Sequence, residues 1–232
     1  MSVFKDDPNL QALWLFENNL YDYTGNDNDL TDNGVGYSAD CKEGLASLNL
    51  EKDDSEYGSI TDGDQTGLDF TGTFSICAWI NLETDWGTRP IVEKWTADYS
   101  WRLEIENTDD IQMWVRNGAD TAYGICIGAT SLDGNTWYHV AAVYDGTDIR
   151  VYLDGSLDTN GASNPLTYSD GVHDTTDDVY VGRRSTVYYD GLIDELAVFN
   201  RALSATEIAD IYAEGILDVR RPTAAYNNLA IY

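Results

Sequence analysis

The sequence predicts an all-β protein, a two-sheet antiparallel sandwich or jelly roll with one short helix near the C-terminal end. Three observations carry that prediction. Residues 137–155 spell an explicit hairpin, Asp-Gly dipeptides punctuate a series of short β-rich runs, and the acidic residues lean strongly toward aspartate.

The hairpin reads WYHVAAVYDGTDIRVYLDG. Val140, Ala142 and Tyr144 alternate with Ala141 and Val143, and Ile149, Val151 and Leu153 alternate with Arg150 and Tyr152, the period of half-buried strands. Asp145-Gly146 is expected to supply the positive-φ positions of the turn, and Asp154-Gly155 opens the next one. Asp-Gly pairs occur at 62–63, 133–134, 145–146, 154–155, 170–171 and 190–191. Between them the predicted strands are Ser75–Leu82, Tyr99–Glu106, Ile111–Arg116, Trp137–Tyr144, Ile149–Leu153, Val179–Gly182 and Gly191–Phe199, a spacing typical of sandwiches and jelly rolls. The 41 acids divide into 30 Asp and 11 Glu. Aspartate favours turns where glutamate favours helices.

The helix is predicted over residues 204–214. Ser204 and Glu207 form a capping box, Ile208, Ile211 and Tyr212 make its apolar stripe, and Gly215 ends it. Residues 1–9 read as an N-terminal arm, 10–215 as the domain, and 216–232 as a tail. The tail carries Arg220-Arg221 and the apolar Leu229, Ile231 and Tyr232, a composition suited to docking on a neighbouring subunit.

The chain has 232 residues, seven Trp and sixteen Tyr, enough to bury a sizeable core, and a net charge of −28. That charge excludes nucleic acid and anionic membranes as natural partners, because both would be repelled. Cys41, Cys77 and Cys126 have no zinc spacing, and Cys77 and Cys126 lie in apolar strands as small core residues. No basic segment followed by an apolar run marks a signal peptide at the start. His139 sits inside a strand motif with a structural role expected, His173 lies in an Asp-rich loop, and neither belongs to a catalytic triad.

Three ordered segments carry a family resemblance. The first is Leu13-Trp14-Leu15-Phe16-Glu17 with Asp22-Tyr23-Thr24-Gly25-Asn26 and Asn28-Asp29-Leu30-Thr31. The second is Phe74–Ile80 with Trp137–Gly146 and Val151–Gly155. The third is Val181-Gly182 with Asp190–Ser204 and Glu207-Ile208. Together they resemble the concanavalin A-like, laminin-G-like jelly-roll domains of the single-domain type found in bacterial, archaeal and phage surface proteins. The resemblance implies two curved antiparallel sheets, a structural Ca²⁺ at the rim, and binding of glycan or protein.

Within it, Glu17, Asp22, Asn26 and Asp194 are the Ca²⁺ candidates, since hard oxygen donors suit that ion and the resemblance brings the Asp194 strand near the N-terminal segment. The alternative is that Asp22 and Asn26 cap turns while Asp194 bonds backbone. Strand alternation turns Trp101, Leu103, Ile105, Ile111, Met113 and Val115 inward and Arg102, Gln112, Trp114 and Arg116 outward. Those four are the ligand candidates: a flat ring for a sugar face and planar donors for hydroxyls or carboxylates. Trp79, Trp86, Trp95 and Tyr99 are further aromatics for a cleft. Glu104 and Glu106 share a strand face as in glycosidases of this superfamily. The central Asp of the glycosidase pattern is missing, so both are expected to be solvent-facing charges and the protein not to be an enzyme.

The expected function is therefore a non-catalytic, Ca²⁺-stabilised recognition or adhesion module for carbohydrate or a surface partner. The alternative is a structural virion or cell-surface assembly protein, a phage capsid decoration or tail/fibre subunit docking through its tail, with a glycoside hydrolase ranked behind these two readings. Both place it outside the cell or on a virion surface.

Overall fold

The computed structural model describes residues 4–83, 87–97, 99–119 and 121–217. Its first strands are β1 (Leu10–Trp14), β2 (Thr31–Asn33), β3 (Gly36–Ser38), β4 (Ser47–Leu50), β5 (Tyr57–Ile60), β6 (Phe74–Leu82), β7 (Arg89–Lys94), β8 (Trp101–Ile105) and β9 (Ile111–Arg116). There follow β10 (Tyr123–Ile127), β11 (Trp137–Tyr144), β12 (Asp148–Leu153), β13 (Ser156–Leu157), β14 (Leu166–Thr167), β15 (Val179–Val181), β16 (Arg183–Arg184), β17 (Val187–Tyr188), β18 (Gly191–Phe199) and the helix α1 (Ala205–Glu214).

All the pairings are antiparallel and most strands divide between two sheets. Sheet one runs β13-β12-β11-β6-β18-β4-β3, with β1 on β18 and β14 on β12, and sheet two runs β10-β9-β8-β7-β15-β5-β2. The short β16–β17 hairpin stands apart from both and rests against β7. This is the predicted jelly-roll sandwich.

The alternation read from the sequence sorts side chains into two apolar layers. Val140, Ala142, Tyr144, Ile149 and Val151 meet Trp101, Leu103, Ile105, Ile111, Met113 and Val115 of sheet two in the main core. Ala141, Val143 and Tyr152 point the other way, into a second layer closed by Ile208 and Ile211 of α1. Sheet one is thus covered on both faces, which is why every residue of β6 is buried. The helix forms as predicted, with both capping-box bonds between Ser204 and Glu207 present. Gly215 takes a positive φ of 76° just past its end. Cys77 and Cys126 are fully buried, and desolvation raises the Cys126 thiol to about 12.

One turn forms as expected, and two expectations are corrected in detail. Asp154 and Gly155 both adopt positive φ, 47° and 76°, as the two-residue turn between Leu153 and Ser156 requires. At the preceding turn only Gly146 does, and Asp145 instead accepts the N–H groups of Thr147 and Asp148 through its side chain. The strand predicted from Tyr99 begins at Trp101, because Tyr99 sits at φ 60° and breaks the extended run. In the N-terminal arm, Phe4 is buried in the second apolar layer and Asp7 pairs with Arg201 at 2.6 Å.

Candidate functional site

Residues on one face of sheet two lie away from the main core, and the strand register aligns them in a strip. Ile125 pairs with Trp114, Trp114 with Arg102, Arg102 with Glu93, Glu93 with Tyr180, and Tyr180 with Ser59. Arg102, Gln112, Trp114 and Arg116 all fall on this face, so the structure brings the four ligand candidates together. Trp95 and Tyr99 join them. The Arg102 guanidinium lies 4.1 Å from the Trp114 ring centre and 4.8 Å from that of Trp95. That of Arg116 lies 5.1 Å from Tyr99.

The arrangement changes the role expected of Trp114. Arg102 covers one of its faces and Tyr123 stacks near it with centroids 6.0 Å apart, so the indole is half-buried and not a bare platform. Tyr123, 58% exposed, is the open ring of the group. Arg102 and Gln112 point to the predicted face but are buried there.

Glu104 overturns its expectation. It is not solvent-facing: it is fully buried, with Arg102 Nε at 2.9 Å and Arg184 Nη1 at 2.9 Å. The cause is the β16–β17 hairpin, which carries Arg184 over β8. Glu106 is half-buried and accepts a hydrogen bond from Thr88 Oγ1 at 3.0 Å. Beside this pair Glu93 is 1% exposed and neither of its carboxyl oxygens has a hydrogen-bond partner. Burial drives its pKa up to about 8, against the pull of Arg102.

Sequence reasoning did not single out Glu93, Tyr57, Tyr180, Tyr188, Arg183 or Arg184. Two signals were present: the alternation of Val179-Tyr180-Val181, which turns Tyr180 away from the core, and an adjacent Arg pair in a strongly acidic chain.

The Ca²⁺ candidates do not meet at one point. Asp22 Oδ1 accepts the Leu13 and Thr24 N–H groups, and Oδ2 accepts Thr24 Oγ1 and the Asn28 N–H. Asn26 donates to the Gln11 carbonyl at 2.9 Å. Asp194 takes the N–H groups of Lys42, Glu43 and Glu195, and Glu17 takes that of Leu45. Each of the four thus braces a turn or strand through protein partners, and a carboxylate that accepts N–H groups keeps further lone-pair directions for a cation. Among the described residues three carboxylates do converge elsewhere, Glu51, Glu83 and Asp190 within 4.8 Å, with Lys52 Nζ 2.8 Å from Asp190. Melting curves in Ca²⁺ and in EDTA test the expectation. A Ca²⁺-dependent rise that Asp194→Ala removes would establish the expected site, and equal curves would leave these residues as turn and strand braces only.

Other residues are structural. His139 is buried between Trp79 and Tyr212, ring centres 5.2 and 5.9 Å away, and desolvation lowers its pKa to about 3. It is neutral at physiological pH. Trp79 is buried under the helix, whereas Trp137 stays half-exposed and donates to Asp40 at 3.0 Å. Trp86 and residues 218–232, with the predicted docking tail, lie outside the described residues. No helix among the described residues is long and apolar enough to cross a membrane.

Similarity to solved structures follows the fold. Domain 4 of AbnA, a GH43 extracellular arabinanase from Geobacillus stearothermophilus, in complex with arabinotriose, aligns with a TM-score of 0.67 at 18% identity, over 88% of this chain and 98% of that one. The binding domain of Paraclostridial Mosquitocidal Protein 1 aligns at 0.69 and 16% identity, over 90% of this chain and 52% of its own. The ligand binding domain of botulinum neurotoxin serotype D, in complex with N-acetylneuraminic acid, aligns at 0.68 and 16% identity, over 91% and 51%. The chain thus spans about half the length of the toxin domains. No curated protein matches its sequence. Residues 53–209, more than half of the chain, match the family described as the concanavalin A-like lectin/glucanases superfamily, and the protein, a two-sheet jelly roll throughout its described domain, belongs to that superfamily.

Proposed function

We propose that the protein is a non-catalytic carbohydrate-recognition module acting outside the cell, and that it holds glycan on the face of sheet two that carries Trp114, Arg102, Glu93 and Tyr180. The observation that carries this reading is the strip itself. It sets aromatic rings and planar donors side by side, with Tyr123 exposed at one end, and sugars are bound by that combination of flat apolar faces and directional polar groups. The arabinanase domain with arabinotriose and the toxin domain with N-acetylneuraminic acid, both similar in fold, support carbohydrate as the ligand class.

The non-catalytic reading is supported by the state of the carboxylates. A glycosidase needs two carboxyl groups open to the scissile bond. Here Glu104 is closed off by two arginines and Glu93 lies beneath the surface. The alternative of a virion assembly subunit rests on residues 219–232, outside the described structure, and no observation among the described residues favours it.

A glycan array tests the reading, run with Tyr123→Ala beside the parent protein. Stacking on an exposed ring contributes roughly 1 kcal/mol or more, so the variant is expected to lose about tenfold in affinity for whichever glycan binds. An array without a hit would overturn the proposal. So would hydrolysis of a bound glycan that Glu93→Gln abolishes.

A further inference from the structure

Resting on that reading, we infer that Arg183 forms a carboxylate subsite on the same face of sheet two, so that the glycan recognised is an anionic one, bearing uronate or sialate groups. The chain carries a net charge of −28, and its described arginines mostly spend their charge internally. Arg89, Arg102, Arg150, Arg184 and Arg201 each pair with an Asp or Glu of the chain. Arg183 does not. Its Nε donates to the Ser185 carbonyl at 3.0 Å, and its two terminal nitrogens have no hydrogen-bond partner among the described residues.

What holds Arg183 is aromatic. Its guanidinium lies 4.6 Å from the ring centre of Tyr180 and 4.7 Å from that of Tyr57. Tyr57 in turn lies 5.9 Å from Tyr180 and 6.1 Å from Tyr188, ring centre to ring centre. The two rings hold the guanidinium in place while its terminal N–H groups keep no partner among the described residues, and such a fork takes a carboxylate bidentately. Tyr188 continues into a groove of about 320 Å³ lined also by Thr88, Thr186 and Val187, and by Arg89 and the Lys52–Asp190 pair, large enough to take part of a sugar ring beside the fork.

The surroundings favour an anion over a neutral sugar. Arg102 and Arg184 lie near Glu93 as Arg183 does, and all three act electrostatically on its carboxyl group. Because burial keeps Glu93 protonated up to about pH 8, these three arginines face Glu104 and Glu106 as the ionised acids of the cluster. Asp178, which accepts a hydrogen bond from the Tyr180 hydroxyl at 3.2 Å, is the further acid of the cluster, so its arginines and ionised acids balance within a strongly acidic protein. At physiological salt, screening limits repulsion from acids elsewhere on the surface to about a Debye length of 8 Å, so the arginine fork itself governs the bound ligand.

Calorimetric titration with oligogalacturonate and sialyllactose, each beside its methyl ester, tests the assignment and separates the two sources of carboxylate. The expected result is that at least one acid binds about tenfold or more tightly than its ester, that Arg183→Gln removes this preference, and that Arg183→Lys restores only part of it. The variants are expected to keep the circular dichroism of the parent and to melt within a few degrees of it, since Arg183 contributes one hydrogen bond and two ring contacts at the surface. Esters that bind as well as acids, or a preference that survives in Arg183→Gln, would overturn the subsite while leaving the carbohydrate reading in place. Failure of these acids and esters, together with every neutral glycan, to bind would overturn both.

Discussion

Replacing Asn28 with Leu is expected to lower the stability by about 2–4 kcal/mol, one of the largest effects of any single polar substitution in this protein. Asn28 is fully buried in the loop that follows β1. Its side-chain amide donates to the carbonyls of Gln11 at 2.8 Å and Thr66 at 2.9 Å, and its Oδ1 accepts the Thr66 N–H at 2.7 Å. The Asn28 carbonyl also accepts the indole N–H of the buried Trp14 at 2.8 Å, which ties the loop into the main core. Leucine nearly matches the volume but leaves both Thr66 groups without partners, and an orphaned buried group costs more than a hydrogen bond contributes. At about 2–4 °C per kcal/mol for a chain of this size, calorimetry should record a melting temperature lower by roughly 5–15 °C. A drop of less than about 2 °C would mean that water or a relaxed loop satisfies Thr66.

The second large effect is on the pH dependence of stability. Asp194 and Glu195 are adjacent at the bulge in β18, both buried, and share their surroundings with Glu17 and Glu43. Burial raises Asp194 to about 7 despite its backbone hydrogen bonds, and burial with the Asp194 charge raises Glu195 to about 8. Each group is an acid whose folded pKa lies above its unfolded value near 4, so the native state binds more protons than the unfolded chain between those two values. Their contribution is fully present below about pH 4 and is lost as pH rises through 7 to 8. Opposing this at the acid end, Asp145 is held low by Arg150 and three hydrogen bonds, the net outcome after a desolvation penalty, and its contribution is lost on acidification. Stability is therefore expected to peak on the acid side of neutrality and to fall by a few kcal/mol toward pH 9. Glu195→Gln, which keeps the shape of the side chain, should flatten that fall and raise the melting temperature at pH 8–9. Equal slopes for parent and variant would assign the fall to general repulsion among the acids instead.

Much of the fold could be read from the chain because its signals are local. Strand alternation in residues 137–155 needed no tertiary information, and neither did the Ser204/Glu207 box or the two-residue turn at Asp154-Gly155. The orientation of the ligand candidates followed from the same alternation: Trp101, Leu103 and Ile105 inward leaves Arg102 and Glu104 on the other face. What alternation cannot supply is what comes to lie over that face. Burial of Glu104 depends on Arg184, eighty residues away on a separate hairpin, and the covering of Trp114 depends on a rotamer of Arg102. The local role of the calcium candidates was hidden for a related reason. Asp22 and Asp194 are oxygen donors by type, and the backbone N–H groups that they accept are placed only by the folded loops. Asn28 stood in a motif read for its resemblance and carried no role there, because its partners Gln11 and Thr66 are brought to it by the fold.

The most direct test of carbohydrate recognition on sheet two is the position of the ligand. Amide chemical shifts of isotope-labelled protein, followed while its best glycan is titrated in, report that position without altering the surface. The expected perturbations centre on β7, β8 and β9, on Tyr123, and on the hairpin from Arg183 to Tyr188. Shifts confined to sheet one, the helix or the loop from Asp22 to Asn28, with the sheet-two strip unmoved, would contradict the site proposed for this protein.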